Sequence, residues 1–292
     1  MIQKQKNRRK YSMDIWIGWK NVKNKNRSVL FLLIFAWITP VFASLNGTFI
    51  TKKFGAYTVL LSQRFDSGIG KITIERGKNK IYEESEVDHH YYFGNNFDET
   101  LNGTDPHSGR DITGNGLPNL IVSNWTGGAH CCHFLQVFEL GKKFKKLVTV
   151  EAHSSSVRLV DLDHDSFPEI EFWDGSIDYL FASFAGSPPA RVVLKFQKDH
   201  YEIATHLMKK PAPTAKQMQK IKERIRAAFE KEDSPDLPYD FLNLMMDLSY
   251  TGHFELALKM ADEIWPKTKP DLSKFKEDFT KALQETPYWK NF

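Results

Sequence analysis

Short stretches in which apolar and polar positions alternate with period 2 recur between residues 47 and 203, and period 3.6 sets in from residue 214 onward. Period 2 places successive side chains on opposite faces of a strand, and period 3.6 lines one face of a helix. Residues 47–63 therefore read as two strands meeting near Lys53–Gly55. Lys71–Glu75 and Lys80–Glu84 alternate on either side of the turn Gly77–Asn79 and read as a hairpin. Further strands are expected at Leu120–Val122, from His130 through Phe138, and at Leu147–Val150, Val157–Val160, Ile170–Trp173, Arg191–Phe196 and Tyr201–Ile203. The aromatic run Tyr179–Phe184 reads as core. Roughly ten strands joined mostly by short turns predict an antiparallel sheet domain over 44–210, either partial and propeller-like or irregular.

Pro211-Ala-Pro213 marks the change of period. Thr214 and Gln217 have the spacing of a capping box, and Met218, Ile221, Ile225 and Phe229 then share one helix face. Asp236 is placed to cap a second helix using Phe241, Leu244, Met245 and Leu248, and Gly252 to stop it. A third helix carries Ala257, Met260, Ala261 and Ile264, and a fourth starts at Asp271 with Leu272, Phe275, Phe279 and Ala282. The chain is thus read as mainly β, followed by a small α-helical bundle over 211–292.

Charge separates a leader from the rest. The net charge is +4, but residues 1–43 hold nine Lys and Arg against one acid, which leaves −4 for 44–292. The basic excess belongs to the leader, so no nucleic-acid partner is expected. The apolar run Val29–Ile38 is shorter than the ~20 residues of a membrane span. Val41-Phe-Ala43 then supplies small or aliphatic residues at −3 and −1. Residues 1–43 read as a signal peptide cleaved after Ala43, placing the protein in the periplasm or outside the cell. The alternative is an uncleaved membrane anchor, the one case in which a membrane contact is expected. Asn46, Asn102 and Asn124 stand in glycosylation sequons, meaningful only in a eukaryotic secretory host.

Two segments share one grammar of oxygen-bearing side chains at positions 1, 3, 5 and 9 with Pro at position 8. Asp161, Asp163, Asp165, the Phe167 carbonyl and Glu169 form the more charged set. Asp111, Thr113, Asn115, the Leu117 carbonyl and Asn119 form the weaker one. Calcium takes six or more oxygens from a turning loop, so calcium is the cofactor to expect, chiefly at the second set. Gly116 suits the left-handed backbone of position 6, whereas Ser166 there carries a steric cost. Without a metal, both segments read as Asx-type turns that start strands. Asp111-x-Thr-Gly-Asn-Gly-x-Pro-Asn-Leu120 and Asp161-x-Asp-x-Asp-x-x-Pro-Glu-Ile170 resemble the calcium loop of FG-GAP repeats, the blade units of integrin-α-type β-propellers. The resemblance covers about 109–125 and 157–174, and the second copy lacks the glycine. It implies blade-like sheets, calcium, and the company of exported bacterial proteins. The second and third helices resemble one tetratricopeptide repeat through Leu244, Gly252, Phe254, Ala257 and Ala261. A protein partner on the C-terminal helices is the corresponding expectation.

Between the two loops lies Gly127-Gly-Ala-His-Cys-Cys-His133, which holds both cysteines of the chain. Three readings stand open for Cys131 and Cys132: a vicinal disulfide, two small buried thiols in a sheet, and a soft-ligand metal site with His130 and His133. No nucleophile elbow, P-loop, dinucleotide fingerprint or zinc-protease motif is present, and no catalytic residue is assigned. The leading expectation is an exported, non-enzymatic binding or structural protein with a calcium-type loop. The alternative is an exported redox or hydrolytic enzyme using Cys131 and Cys132 with His130 or His133.

Overall fold

The computed structural model describes residues 47–64, 66–95, 105–231, 236–269 and 271–292. They belong to one compact unit, Ser44–Phe292. The leader, its cleavage point at Ala43, and the sequons at Asn46 and Asn102 lie outside the described residues. Asn124 is buried within a strand, where no glycan would fit. No helix among the described residues is long and apolar enough to cross a membrane.

Three antiparallel sheets of four strands follow one another along the chain. The first contains β1 (Gly47–Phe54), β2 (Tyr57–Arg64), β3 (Ile69–Arg76) and β4 (Asn79–Val87). The second contains β5 (His90–Phe93), β6 (Asn119–Trp125), β7 (His133–Leu140) and β8 (Phe144–Glu151). The third contains β9 (Arg158–Val160), β10 (Glu169–Asp174), β11 (Ala190–Gln197) and β12 (His200–Ile203). In each sheet consecutive strands are neighbours, so every sheet is an up-and-down meander. The mainly antiparallel β fold read from the alternation holds, with twelve strands among the described residues rather than about ten.

The second sheet is the middle layer, because its strands bury both faces. Leu120, Val122, Phe138 and Leu140 point into a core shared with Val59, Leu61, Ile72 and Ile74 of the first sheet. Ile121, Leu135, Val137 and Val150 point the other way, into a core shared with Ile170, Phe172, Val192 and Val193 of the third sheet. Alternate residues of one strand thus serve opposite cores, as the pleat requires.

That second core continues without a break into the helices α2 (Ala215–Lys231), α3 (Tyr239–Tyr250), α4 (Phe254–Ile264) and α5 (Leu272–Glu285), through Ile225, Phe241, Met245, Ala257, Met260 and Phe279. The change of period after residue 210 is therefore a change of architecture and not a break in packing. A short helix that the periodicity does not reveal, α1 (Thr205–Met208), bridges the two regions.

Two helix starts tell different stories. Thr214 and Gln217 close the expected capping box, with Thr214 N donating to Gln217 Oε1 at 2.8 Å and Gln217 N to Thr214 Oγ1 at 3.3 Å. Asp236 does not cap α3, whose N-cap is Pro238. Its carboxylate instead accepts from Ser183 N at 2.9 Å and ties the α3 approach to the third sheet.

Candidate functional site

The meanders have two ends, and the chemistry-bearing residues divide between them. At one end lie the two acidic segments, each leading into the second strand of its sheet, β6 and β10. At the other end lie the connection 126–132, the β8–β9 connection and the long loop between β10 and β11.

The two acidic segments fold alike. Asp111 Oδ1 accepts from Thr113 N and Gly114 N at 2.9 and 2.8 Å, and its Oδ2 from Gly116 N at 2.7 Å. Asp161 accepts from Asp165 N and Ser166 N, both at 3.1 Å. Position 5 accepts from the amide two residues on in both, Asn115 from Leu117 and Asp165 from Phe167, each at 2.9 Å. Position 9 reaches back to the amide of position 2, Asn119 to Ile112 at 2.9 Å and Glu169 to Leu162 at 2.8 Å. Ser166 takes the left-handed conformation at φ 77°, next to Gly116 in the other copy at φ 82°. The steric cost expected at Ser166 is therefore present. The two loops touch, since the Phe167 ring lies 2.9 Å from where a side chain on Gly114 would start.

Charge separates the copies. Lys195 of β11, only 14% exposed, donates from Nζ to Asp163 at 2.8 Å, to Asp165 at 2.7 Å and to Glu169 at 2.6 Å. Burial opposes its charge, but those three hydrogen bonds outweigh burial and raise the ammonium above the ordinary lysine value. Asp165 is held below the usual carboxylate range, first by Lys195 and then by the Phe167 amide. In the first loop burial works against the Asp111 charge, and the amides of Gly116, Thr113 and Gly114 overcome it and lower the carboxyl.

A resident calcium needs six or more oxygens aimed at one point. Asp161, Asp163 and Glu169 do bring one oxygen each within 4.8 Å of the others. Yet the Lys195 ammonium already contacts Asp163 and Glu169, and both Asp161 oxygens accept from backbone amides. The donor set fits the internal cation and does not fit a resident metal. The first loop offers one carboxylate whose oxygens are engaged by backbone amides, and it fits a metal no better.

At the opposite end the segment 126–132 joins β6 to β7. Trp125 pairs with His133, so the seven residues between them close a hairpin. Strand β7 begins at His133, not at His130 as alternation suggested, because the chain turns through Ala129–Cys132. Thr126 pins this turn from both sides: Cys132 N donates to Thr126 Oγ1 at 2.7 Å and Thr126 N to the Cys132 carbonyl at 3.2 Å. Gly128 is required by close approach, since a Cβ there would stand 2.2 Å from the Cys131 carbonyl oxygen. Cys131 and Cys132 are paired with each other, and their connecting peptide is cis. Neither is a free thiol.

The four-ligand metal reading does not assemble. His130 Nδ1 lies 2.6 Å from the Tyr179 hydroxyl and its ring stacks on Phe184 at 4.0 Å between centroids. His133 Nδ1 bonds the Ser155 carbonyl at 3.0 Å. The group that does come together is Cys131, Cys132 and Glu151.

The loop 175–189 supplies the other wall. The aromatic run 179–184 is not wholly core: Tyr179 is 61% and Leu180 57% exposed. Tyr179 is held at φ 64°, an unfavourable conformation for a bulky side chain. The loop is tied down around it by Ser187 Oγ, which accepts from Tyr179 N at 3.3 Å and donates to the Ser183 carbonyl at 3.0 Å. Beneath it Asp174, fully buried, accepts from Tyr250 Oη at 2.5 Å and Thr286 Oγ1 at 2.9 Å. His153 Nε2 is 3.7 Å from Asp174. Burial pushes Asp178 up to about 6, against His153, with Asp174 adding to the rise. A cleft of about 270 Å³ opens here between Glu151, His153, Leu180, Glu285, Thr286 and Tyr288.

No protein-family model, curated protein or solved structure matches this chain. The site is therefore read from its own chemistry. The sequence singled out Cys131, Cys132, His130 and His133, but not Glu151, Asp174, Asp178 or Tyr179 as their neighbours. Glu151 arrives through the β7–β8 pairing, opposite Phe134, and the others through the end of β10 and the loop that follows it. The Asp174–Gly175 turn after an alternating strand was the available signal.

Proposed function

We propose that the protein is an exported, non-enzymatic binding module, and that it recognises its ligand at the end of the sheets that carries Cys131 and Cys132. One observation carries the reading: Tyr179 and Leu180 are held out to solvent by a hydrogen-bonded loop, on a strained backbone, beside a cleft edged by carboxylates. Strain and exposure of this kind persist where the surroundings impose them, and they cluster at binding sites. A surface fixed in advance loses little entropy on association.

Its chemistry suits a sugar ring. The aromatic faces of Tyr179 and the His130–Phe184 stack offer an apolar wall, and Glu151 and Glu285 offer acceptors for hydroxyl groups. The cysteine pair supports an exported setting, since disulfides persist in oxidising compartments.

Thiol catalysis is less well supported. Glu151 lies beside both sulfurs, and a neighbouring carboxylate disfavours the thiolate that such chemistry needs. His130 and His133 hold other partners. A docking role for the helical tail is weakened because its apolar faces are spent on the core shared with the third sheet.

Calorimetry of the intact exported form against a panel of neutral oligosaccharides tests the reading. One or more should bind, and Tyr179→Ala should weaken that binding at least ~10-fold while leaving the melting temperature unchanged. Absence of any saccharide binding, or equal binding by the variant, sinks it. Phe49→Ala, at an exposed aromatic of the first sheet, is the control that should bind normally.

A further inference from the structure

We propose that the 161–169 loop carries its own cation: the Lys195 ammonium performs the structural task that a calcium ion performs in loops of this pattern, and removing it uncovers a hard-cation site. The first support is coordination. Nζ contacts Asp163, Asp165 and Glu169 at 2.6 to 2.8 Å, so one positive group holds positions 3, 5 and 9 of the loop together. An ammonium has three donor hydrogens, and here each has a carboxylate acceptor. The stem of the lysine is packed, since only 14% of the side chain is exposed.

The second support comes from the other copy and is independent of the first. Asn119 at position 9 pairs across the strands with Glu139 of β7. Glu169 at position 9 stands one residue before the Ile170–Leu194 pair, which puts it opposite Lys195 of β11. The two strand residues thus occupy equivalent register positions, and each clasps position 5 of its loop. Asn115 Nδ2 donates to Glu139 at 2.6 Å, whereas Lys195 Nζ donates to Asp165 at 2.7 Å. Donor and acceptor have changed places while the clasp has stayed. One sheet pairs a neutral amide at position 5 with an acid, and the next pairs a carboxylate at position 5 with a base. Both close by side chain, which leaves a metal no task in holding the turn. The loops also abut through Phe167 and Gly114, so losing one clasp disturbs the other.

Without Lys195, Asp163, Asp165 and Glu169 would lose their shared cation, and Asp161, Asp163 and Glu169 would stand with one oxygen each within 4.8 Å of the others. Like charges so close repel, and a bound cation relieves that repulsion. Oxygen ligands at such spacing favour calcium over softer ions.

Thermal melting and calcium calorimetry on the full chain, in chelator and in about 5 mM calcium, test the proposal. The unmodified protein should melt within ~1 °C in both conditions and show no binding heat. Lys195→Met keeps most of the stem and removes the charge. It should melt at least ~5 °C lower in chelator and regain half or more of the loss in calcium. Lys195→Arg should remain insensitive to calcium. Sub-millimolar calcium binding by the unmodified protein overturns the proposal. A Lys195→Met protein that is neither weakened nor calcium-responsive overturns it equally. Should Lys195→Met fail to fold in chelator, its recovery on refolding with calcium supports the proposal. Failure to recover decides against it if Lys195→Met/Asp163→Asn/Asp165→Asn, which removes the repulsion, folds in chelator.

Discussion

Replacing Tyr250 by Phe probes the joint between sheets and helices with little change of shape. The Tyr250 hydroxyl is buried and donates to Asp174 Oδ2 at 2.5 Å, while Thr286 Oγ1 reaches the same oxygen at 2.9 Å and Ser176 N reaches Oδ1 at 3.0 Å. A hydrogen bond to a charged acceptor contributes ~1.5–3 kcal/mol, and the phenylalanine ring leaves no large cavity. Asp174 keeps two donors, so the carboxylate is not orphaned, and a loss of about 2 kcal/mol is expected. For a chain of this size that lowers the melting temperature by roughly 4–8 °C. Urea unfolding should be followed by far-ultraviolet circular dichroism, which reports the helices, and by tryptophan fluorescence. Because one core spans the third sheet and the helices, both probes should move together in a single transition. A loss below ~0.5 kcal/mol, or helices that melt ahead of the sheets, would refute the reasoning.

Two further outcomes follow from the opposite end of the sheets. Gly128→Ala forces a Cβ to within 2.2 Å of the Cys131 carbonyl, so the 126–132 turn must open. A loss of ~2 kcal/mol or more is expected in chemical denaturation, and a smaller one would mean that the turn yields freely. Asp178 titrates at about 6 against an ordinary value of 3.8, so the native state holds this proton more tightly than the unfolded chain does. Its contribution to stability is full below 3.8 and is lost as pH rises to about 6. His153, Asp174 and His130 face it, and Asp178→Asn removes only its own share. The variant should gain melting temperature over the parent at pH 7 and not at pH 3.5; equal differences at both would contradict the assignment.

Much of the architecture is written in the periodicity. Residues 47–63 alternate loosely but carry enough β-formers to announce β1 and β2, and Thr214 with Gln217 announces α2 by a contact between neighbours. The errors have a common cause in contacts between residues far apart in the chain. His130 alternates in phase with β7, but the Thr126–Cys132 bonds hold it in a turn. Asp236 has the side chain of a cap, but Ser183 of another element claims it. The acidic loops were visible through Asp111 and Asp161, whereas the groups that clasp them, Glu139 and Lys195, sit on strands 24 and 30 residues beyond Asn115 and Asp165. Only the register of the sheets brings them back. Tyr179 looked like core because it is aromatic; its exposure comes from a left-handed backbone that no composition reveals.

The division into two cores has a consequence for the order in which the protein can form. Among the described residues, the core between the first two sheets draws on Ile50 to Phe144, a shorter span of chain than the other core. The other core joins Ile112 of the first acidic loop to Tyr288, and the Tyr288 ring meets Phe172 at 4.7 Å between centroids. During synthesis the first pair of sheets can close while the helices are still being made. The core that Ile170, Phe172 and Val193 of the third sheet share with the helices is then incomplete until the helices have been made. That interval is when the chain is most open to association with its neighbours, and it ends when Tyr288 docks.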